Sequence, residues 1–137
     1  MAQIGRGAVV RFVETGVPPA NPDPPDQPSG VQTITNPGSP LVLLTSRYAG
    51  FRLNASAAVL LAAPDAGAPG QALRIRFAAV GAPRQLTFDE DVWDFGSTFT
   101  ADDITPTAAG TADWFGATFD APTGRWAVVA YARGFPA

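Results

Sequence analysis

The chain has 137 residues, room for one domain plus a short arm, and sets 12 acidic residues against nine arginines, with no lysine, for a formal charge of −3. A basic footprint for nucleic acid is therefore not expected. Cysteine is absent, which excludes a disulfide framework, a thiolate nucleophile and Cys-ligated zinc; histidine is absent too, which removes the usual base at neutral pH and the commonest metal ligand. No apolar run reaches the roughly 20 residues that span a bilayer, and the opening M-A-Q-I-G-R-G lacks the apolar core and cleavage site of a secretory signal.

Residues Gly7 to Glu14, G-A-V-V-R-F-V-E, read as one short strand whose apolar content is Val9, Val10, Phe12 and Val13. The segment that follows carries prolines at 18, 19, 22, 24, 25 and 28. Proline donates no ladder hydrogen bond and fixes φ, so an extended polyproline II spacer is expected. Its length, about 14 residues at about 3.1 Å each, reaches on the order of 40 Å. The first strand then pairs with another subunit or a different protein, or it folds back as an edge strand of its own sheet. The expected division is an anchoring arm over 1–16, a linker over 17–29 and a compact domain over 30–137.

In that domain Val31 to Thr35 alternates as a strand does, Asn36-Pro37-Gly38 is a turn, and Pro40 to Thr45, with L-V-L-L inside, predicts a buried strand dry on both faces. Phe51 to Asn54 and Ala57 to Ala62 are two further short strands; the second is too short for a stable helix and is closed by Pro64-Asp65. The stretch Gly70 to Trp93 organises the rest. Leu73, Ile75 and Phe77 alternate with Arg74 and Arg76, Gly81-Ala82-Pro83 breaks the chain, and Leu86 and Phe88 resume the alternation against Gln85 and Thr87. This predicts a β-hairpin with one dry face, which needs a second layer because an isolated hairpin is marginal in water.

A long connection follows, with one irregular strand expected around Gly96 to Thr100. Asp113 to Asp120 places Phe115, Ala117 and Phe119 on one face, Ala121-Pro122-Thr123-Gly124 turns, and Arg125 to Arg133 returns. That last strand is apolar on both faces and is expected in the middle of a sheet. Seven or eight short strands without a convincing helix argue an all-β fold, an antiparallel β-sandwich of jelly-roll type, with a small β-barrel as the alternative.

Two groups of residues bear on chemistry. The acids Asp89, Glu90, Asp91 and Asp94, with Asp102 and Asp103, are the one charge cluster. Paired carboxylates serve glycoside hydrolysis or bind Ca²⁺, but the spacing matches no calcium loop and acids at strand ends are commonly just solvated. The aromatics Trp93, Phe95, Trp114, Trp126 and Tyr131 offer stacking faces for sugar rings, since an indole combines a large apolar surface with one polar edge; packing in a core or a subunit interface is the competing use. Trp126 lies in the two-faced apolar strand and reads as core. Trp93 and Trp114 sit at less regular places, so these two, with Asp94, are the candidate ligand-binding residues. There is no phosphate loop or nucleophile elbow, and Ser39, Ser46, Ser56 and Ser97 have no histidine to activate them. No enzymatic activity, cofactor or catalytic residue is expected. The loops after Leu44, around Asp65 and around Asp94 are candidates for an outward contact face.

The order V-Q-T-I-T-N-P-G-S-P-L, A-G-A-P-G-Q, L-R-I-R-F returning through L-T-F-D, and G-A-T-F-D-A-P-T-G-R-W-A-V-V-A-Y-A-R-G-F resembles the small β-sandwich domains of phage tail-fibre and head-fibre (spike) proteins and of gene transfer agent appendages. The resemblance covers about Gly30 to Phe135. It implies a structural virion component, assembled in the bacterial cytoplasm and displayed on the particle surface. It also implies a homo-oligomer, often a trimer, docked through Val9, Val10, Phe12 and Val13 to capsid, spike base or tail. Its outer domain would meet host-surface polysaccharide, with no membrane insertion. A free-standing carbohydrate-binding module is the alternative, and a small glycan hydrolase using the Asp89 to Asp94 acids a third.

Overall fold

The computed structural model describes residues 28–97 and 99–137; the expected anchoring residues Val9, Val10, Phe12 and Val13, and nearly all of the proline-rich linker, lie outside them. The strands are β1 Gly30–Thr35, β2 Tyr48–Ala55, β3 Val59–Leu61, β4 Ala72–Ala79, β5 Leu86–Phe88, β6 Trp93–Asp94, β7 Thr111–Asp120 and β8 Arg125–Pro136. Among the described residues the only helical element is one 3-10 turn, Ala101–Asp103. The fold is all-β, as the alternating apolar pattern predicts.

One sheet has the order β1-β2-β4-β7-β8-β6, and β3 and β5 form a second, smaller one. The antiparallel expectation is corrected: β1–β2, β2–β4, β6–β8 and β3–β5 run parallel, and only β4–β7 and β7–β8 are antiparallel. Parallel neighbours need a crossover connection. Here the chain leaves β2, lays β3 into the small sheet and returns as β4, so β3 does what a helix does in a βαβ unit.

The central hairpin is corrected for the same reason. β4 pairs with β2 and β7, whereas Leu86, Thr87 and Phe88 pair with Val59, Leu60 and Leu61. At Gly81–Pro83 the chain arches from one sheet to the other. The dry sides of β4 and β5 therefore face each other across the core instead of lying side by side, and β5 belongs to the layer that β4 needs. Leu73, Ile75 and Phe77 of β4 are at most 2 % exposed and share one core cluster with Leu61, Leu86 and Phe88. Burying each such side chain is worth about 1.5–3 kcal/mol.

Three smaller expectations change. Pro40 to Thr45 is not a strand: Leu41 makes a lone bridge to Leu61, Leu43 and Thr45 are fully buried and Val42 is half-exposed, so only one side is dry. The irregular strand falls on Trp93–Asp94 and not on Gly96 to Thr100. β8 has β7 on one side, but β6 covers only Trp126 and Ala127 on the other, so beyond them β8 is an edge among the described residues.

Loops are tied to the core by a few polar side chains. Gln71, buried, donates to the Thr45 carbonyl at 2.8 Å and accepts from the Ala68 amide at 3.0 Å. Asp65 accepts from the Ser46 amide at 2.9 Å, from Thr45 Oγ1 at 3.2 Å and from the Ser46 hydroxyl. Burial pushes this carboxyl up, but the Ser46 and Thr45 hydrogen bonds together outweigh it and hold the group below its ordinary value of 3.8. A carboxylate with a lowered folded pKa contributes stability above its unfolded pKa and loses it as pH falls through the folded one. Asp65 is largely exposed, so solvent screening keeps this to less than about 1 kcal/mol. The difference in thermal midpoint between wild type and Asp65→Asn is expected to be constant at neutral pH and to shrink below pH 3.8; differential scanning fluorimetry across pH 2–7 checks it.

Candidate functional site

The alternation that sends Phe51, Leu53, Leu73, Ile75, Phe77, Phe115 and Ala117 into the core sends their neighbours to the opposite face of the six-stranded sheet. Register aligns those neighbours in two rows across the strands. One runs Val31, Gly50, Arg74, Gly116, Ala130; the other runs Thr33, Arg52, Arg76, Trp114, Ala132. The small sheet packs on the core side, so among the described residues no layer of strands covers this outer face.

The first row is low. A Cβ on Gly50 would meet Val31 Cγ2 at 3.2 Å, and one on Gly116 would meet the Ala130 methyl at 3.4 Å, so the glycines keep a floor between taller neighbours. Over it lies an open cavity of about 250 Å³ whose lining includes Val31, Gly50, Arg52, Arg74 and Trp114. Arg52 and Arg74 are exposed and Trp114 is half-buried. Arg76 is buried, and its guanidinium donates to the Pro136 carbonyl at 3.4 Å. Among the described residues the one side-chain ion pair is Arg125 with Asp94, at 2.8 Å; Arg52, Arg74 and Arg76 have no carboxylate partner there.

The three predicted ligand-binding residues do not come together. Trp93 is 1 % exposed on the core side, edge-on to Phe88 with centroids 5.2 Å apart and beside Trp126, and its indole N–H donates to the Ala62 carbonyl at 3.3 Å. Its ring faces are packed and offer no stacking surface. The reason is register: Trp93 pairs with Trp126 where β6 closes the end of the core. Asp94 follows on the same two-residue strand, held by Arg125. Trp114 lies on β7, on the outer face, and alone among them lines a cavity.

Of the acid cluster, the Asp89 and Asp103 carboxylates are used in turns. Asp89 accepts from the Asp91 amide at 3.0 Å, and its carbonyl accepts from the Val92 and Trp93 amides. The Glu90 carbonyl accepts from Arg125, and Asp103 accepts from the Thr100 amide at 2.7 Å. Among the described residues no three acids are grouped to hold a metal ion. Of the predicted contact loops, those after Leu44 and around Asp65 do meet, lining a hollow of about 270 Å³ with Ser46, Ala66 and Gln71; the loop around Asp94 is not part of it. A further open groove, about 570 Å³, runs between Phe95 and Phe99 and the edge of β8 at Val129 and Tyr131.

Sequence reasoning missed the arginines of the outer face. The signal was present: Arg52 between Phe51 and Leu53, and Arg74 and Arg76 interleaved with Leu73, Ile75 and Phe77, are on the wet side of two strands, and Trp114 is out of phase with Phe115, Ala117 and Phe119. What alternation lacks is the adjacency of those strands. No protein-family model matches the chain, and neither a curated protein nor a solved structure matches it.

Proposed function

We propose that this protein is a structural component of a virus-like particle, a fibre or head-spike protein of a tailed phage or gene transfer agent. Its N-terminal arm docks on the particle, and its β domain, a two-layer sandwich, meets polysaccharide on a host surface. The observation that carries the contact role is the outer face of the six-stranded sheet. It has no covering strand layer among the described residues, and it sets the half-buried indole of Trp114 beside a glycine-floored cavity. An indole stacks on the apolar face of a pyranose while its N–H edge stays polar. The turn-forming use of the Asp89 and Asp103 carboxylates and the pairing of Asp94 with Arg125 support a non-enzymatic role. The projecting layout is supported by the sequence: an apolar segment with Val9, Val10, Phe12 and Val13, a proline-rich spacer, then the domain.

The partners in this reading are further copies of the chain, most simply in a trimer, and a capsid, spike-base or tail protein. Light scattering on a sizing column tests it. The full chain is expected to run as a fixed oligomer, and a variant beginning at Gly30 as a smaller species. A monomer in both forms overturns the appendage reading and leaves a free-standing carbohydrate-binding module, which the same sheet face supports.

A further inference from the structure

We infer that the outer-face trough is specific for acidic polysaccharide, with the carboxylates of a uronate- or sialate-bearing chain received by Arg52 and Arg74 and a sugar ring stacked on Trp114. This rests on the glycan-contact reading above and adds the charge class of the ligand. Arg52 and Arg76 are direct register partners on neighbouring strands, and Arg74 lies two residues along from Arg76 on the same side of β4. Strands stand about 4.8 Å apart, and like charges at facing positions destabilise a sheet. The exposed Arg52 and Arg74, with Arg76 beside them, form a positive patch that favours an anion, and among the described residues no carboxylate lies within ion-pair distance of them.

The kind of anion follows from size, number and surroundings. The cavity, about 250 Å³, is below the roughly 300–1,000 Å³ of pockets that engulf a drug-sized ligand. It suits one ring of a chain, seated against Val31, Gly50 and Trp114. Two exposed guanidinium groups match isolated carboxylates, which they bind as planar forks. A nucleic acid backbone demands a longer run of cations than the two exposed arginines supply. The indole beside the arginines and the glycine floor favour a flat ring over an acidic peptide. Arg76, buried and bonded to the Pro136 carbonyl, adds positive potential between Arg52 and Trp114 in the same row without lining the cavity.

Calorimetric titration of the full chain tests the inference, with oligogalacturonate and oligosialic acid as the acidic probes, carboxyl-reduced oligogalacturonate as the neutral one, and oligoglutamate as the peptide one. An acidic glycan is expected to bind at least tenfold more tightly than the carboxyl-reduced one. Arg52→Gln and Arg74→Gln should each weaken it about tenfold, while Arg133→Gln, away from the trough, leaves it unchanged. Circular dichroism verifies that each variant is folded. Equal affinity for the reduced and acidic glycans, lost in Trp114→Ala, overturns the charge specificity and leaves the glycan reading standing. Oligoglutamate binding as tightly as the glycans through Arg52 and Arg74 overturns the ligand class in favour of an acidic protein segment. No binding of any probe overturns both the inference and the reading beneath it.

Discussion

Trp93→Ala is expected to lower the free energy of unfolding by about 4 kcal/mol, the range for deleting a fully buried aromatic side chain. The ring is 1 % exposed between Phe88 and Trp126, so truncation leaves a void that neighbours on two sheets cannot close together. It also strips the Ala62 carbonyl of its indole donor. β6 is only two residues long and pairs only with Trp126 and Ala127. Besides this side chain it is held mainly by the Asp94–Arg125 ion pair at the surface, and its loss exposes the remaining edge of β8. Trp114→Ala makes the opposite pattern. Its indole is half-buried on the outer face, so the fold should lose less than about 1.5 kcal/mol while glycan affinity disappears. Urea unfolding of both variants, read by far-ultraviolet circular dichroism, separates them. A larger loss for Trp114→Ala than for Trp93→Ala would mean that the core and outer faces have been assigned the wrong way round.

Asp113→Ala is expected to cost about 3 kcal/mol, because it removes a buried acceptor and leaves its donors unpaired. Asp113 is 2 % exposed and sits where β7 and β8 fall out of register between Ala112 and Trp114. A bulge takes backbone groups out of the ladder. The carboxylate replaces the missing partner, accepting from the Gly134 amide at 2.9 Å and, on its other oxygen, from Thr107 Oγ1 at 2.8 Å. One side chain thereby joins the crossover loop to the end of β8, and Gly134, at φ +79°, supplies the turn that brings its amide there. Asp113→Asn keeps one oxygen acceptor and should lose less than half as much. Equal losses for the two would show that packing volume, and not the hydrogen bonds, sets the cost.

Strand positions were legible because pleating is local. A residue's side of a strand depends only on its neighbours two places away, so Val31 to Thr35 and Phe51 to Asn54 could be read as strands, and Leu73 to Phe77 and Leu86 to Phe88 with their dry sides. The β7–β8 hairpin was legible too, since Ala121-Pro122-Thr123-Gly124 places its two strands side by side. The β4–β5 hairpin was misread because alternation on both flanks of a glycine-proline break is the same whether the chain folds flat into one sheet or arches between two. What separates the cases is how the rest of the chain fills the core, which no short window contains.

The candidate site divides along the same line. Trp93 and Trp114 look alike in sequence, each an indole next to an aspartate with a phenylalanine one or two residues on, yet one is core and one lines the outer cavity. Burial depends on which strand lies alongside, and for Trp93 that strand is β8, more than 30 residues later. By itself the sequence determined an all-β chain, the dry side of Leu73 to Phe77 and of Leu86 to Phe88, and the absence of thiol and imidazole chemistry. Only the tertiary structure decided that β2, β4 and β7 are neighbours, and with them that Arg52, Arg74, Arg76 and Trp114 share one face. The physical reason is that which side of a strand is dry is encoded within a few residues, whereas strand adjacency is chosen by the packing of the whole core.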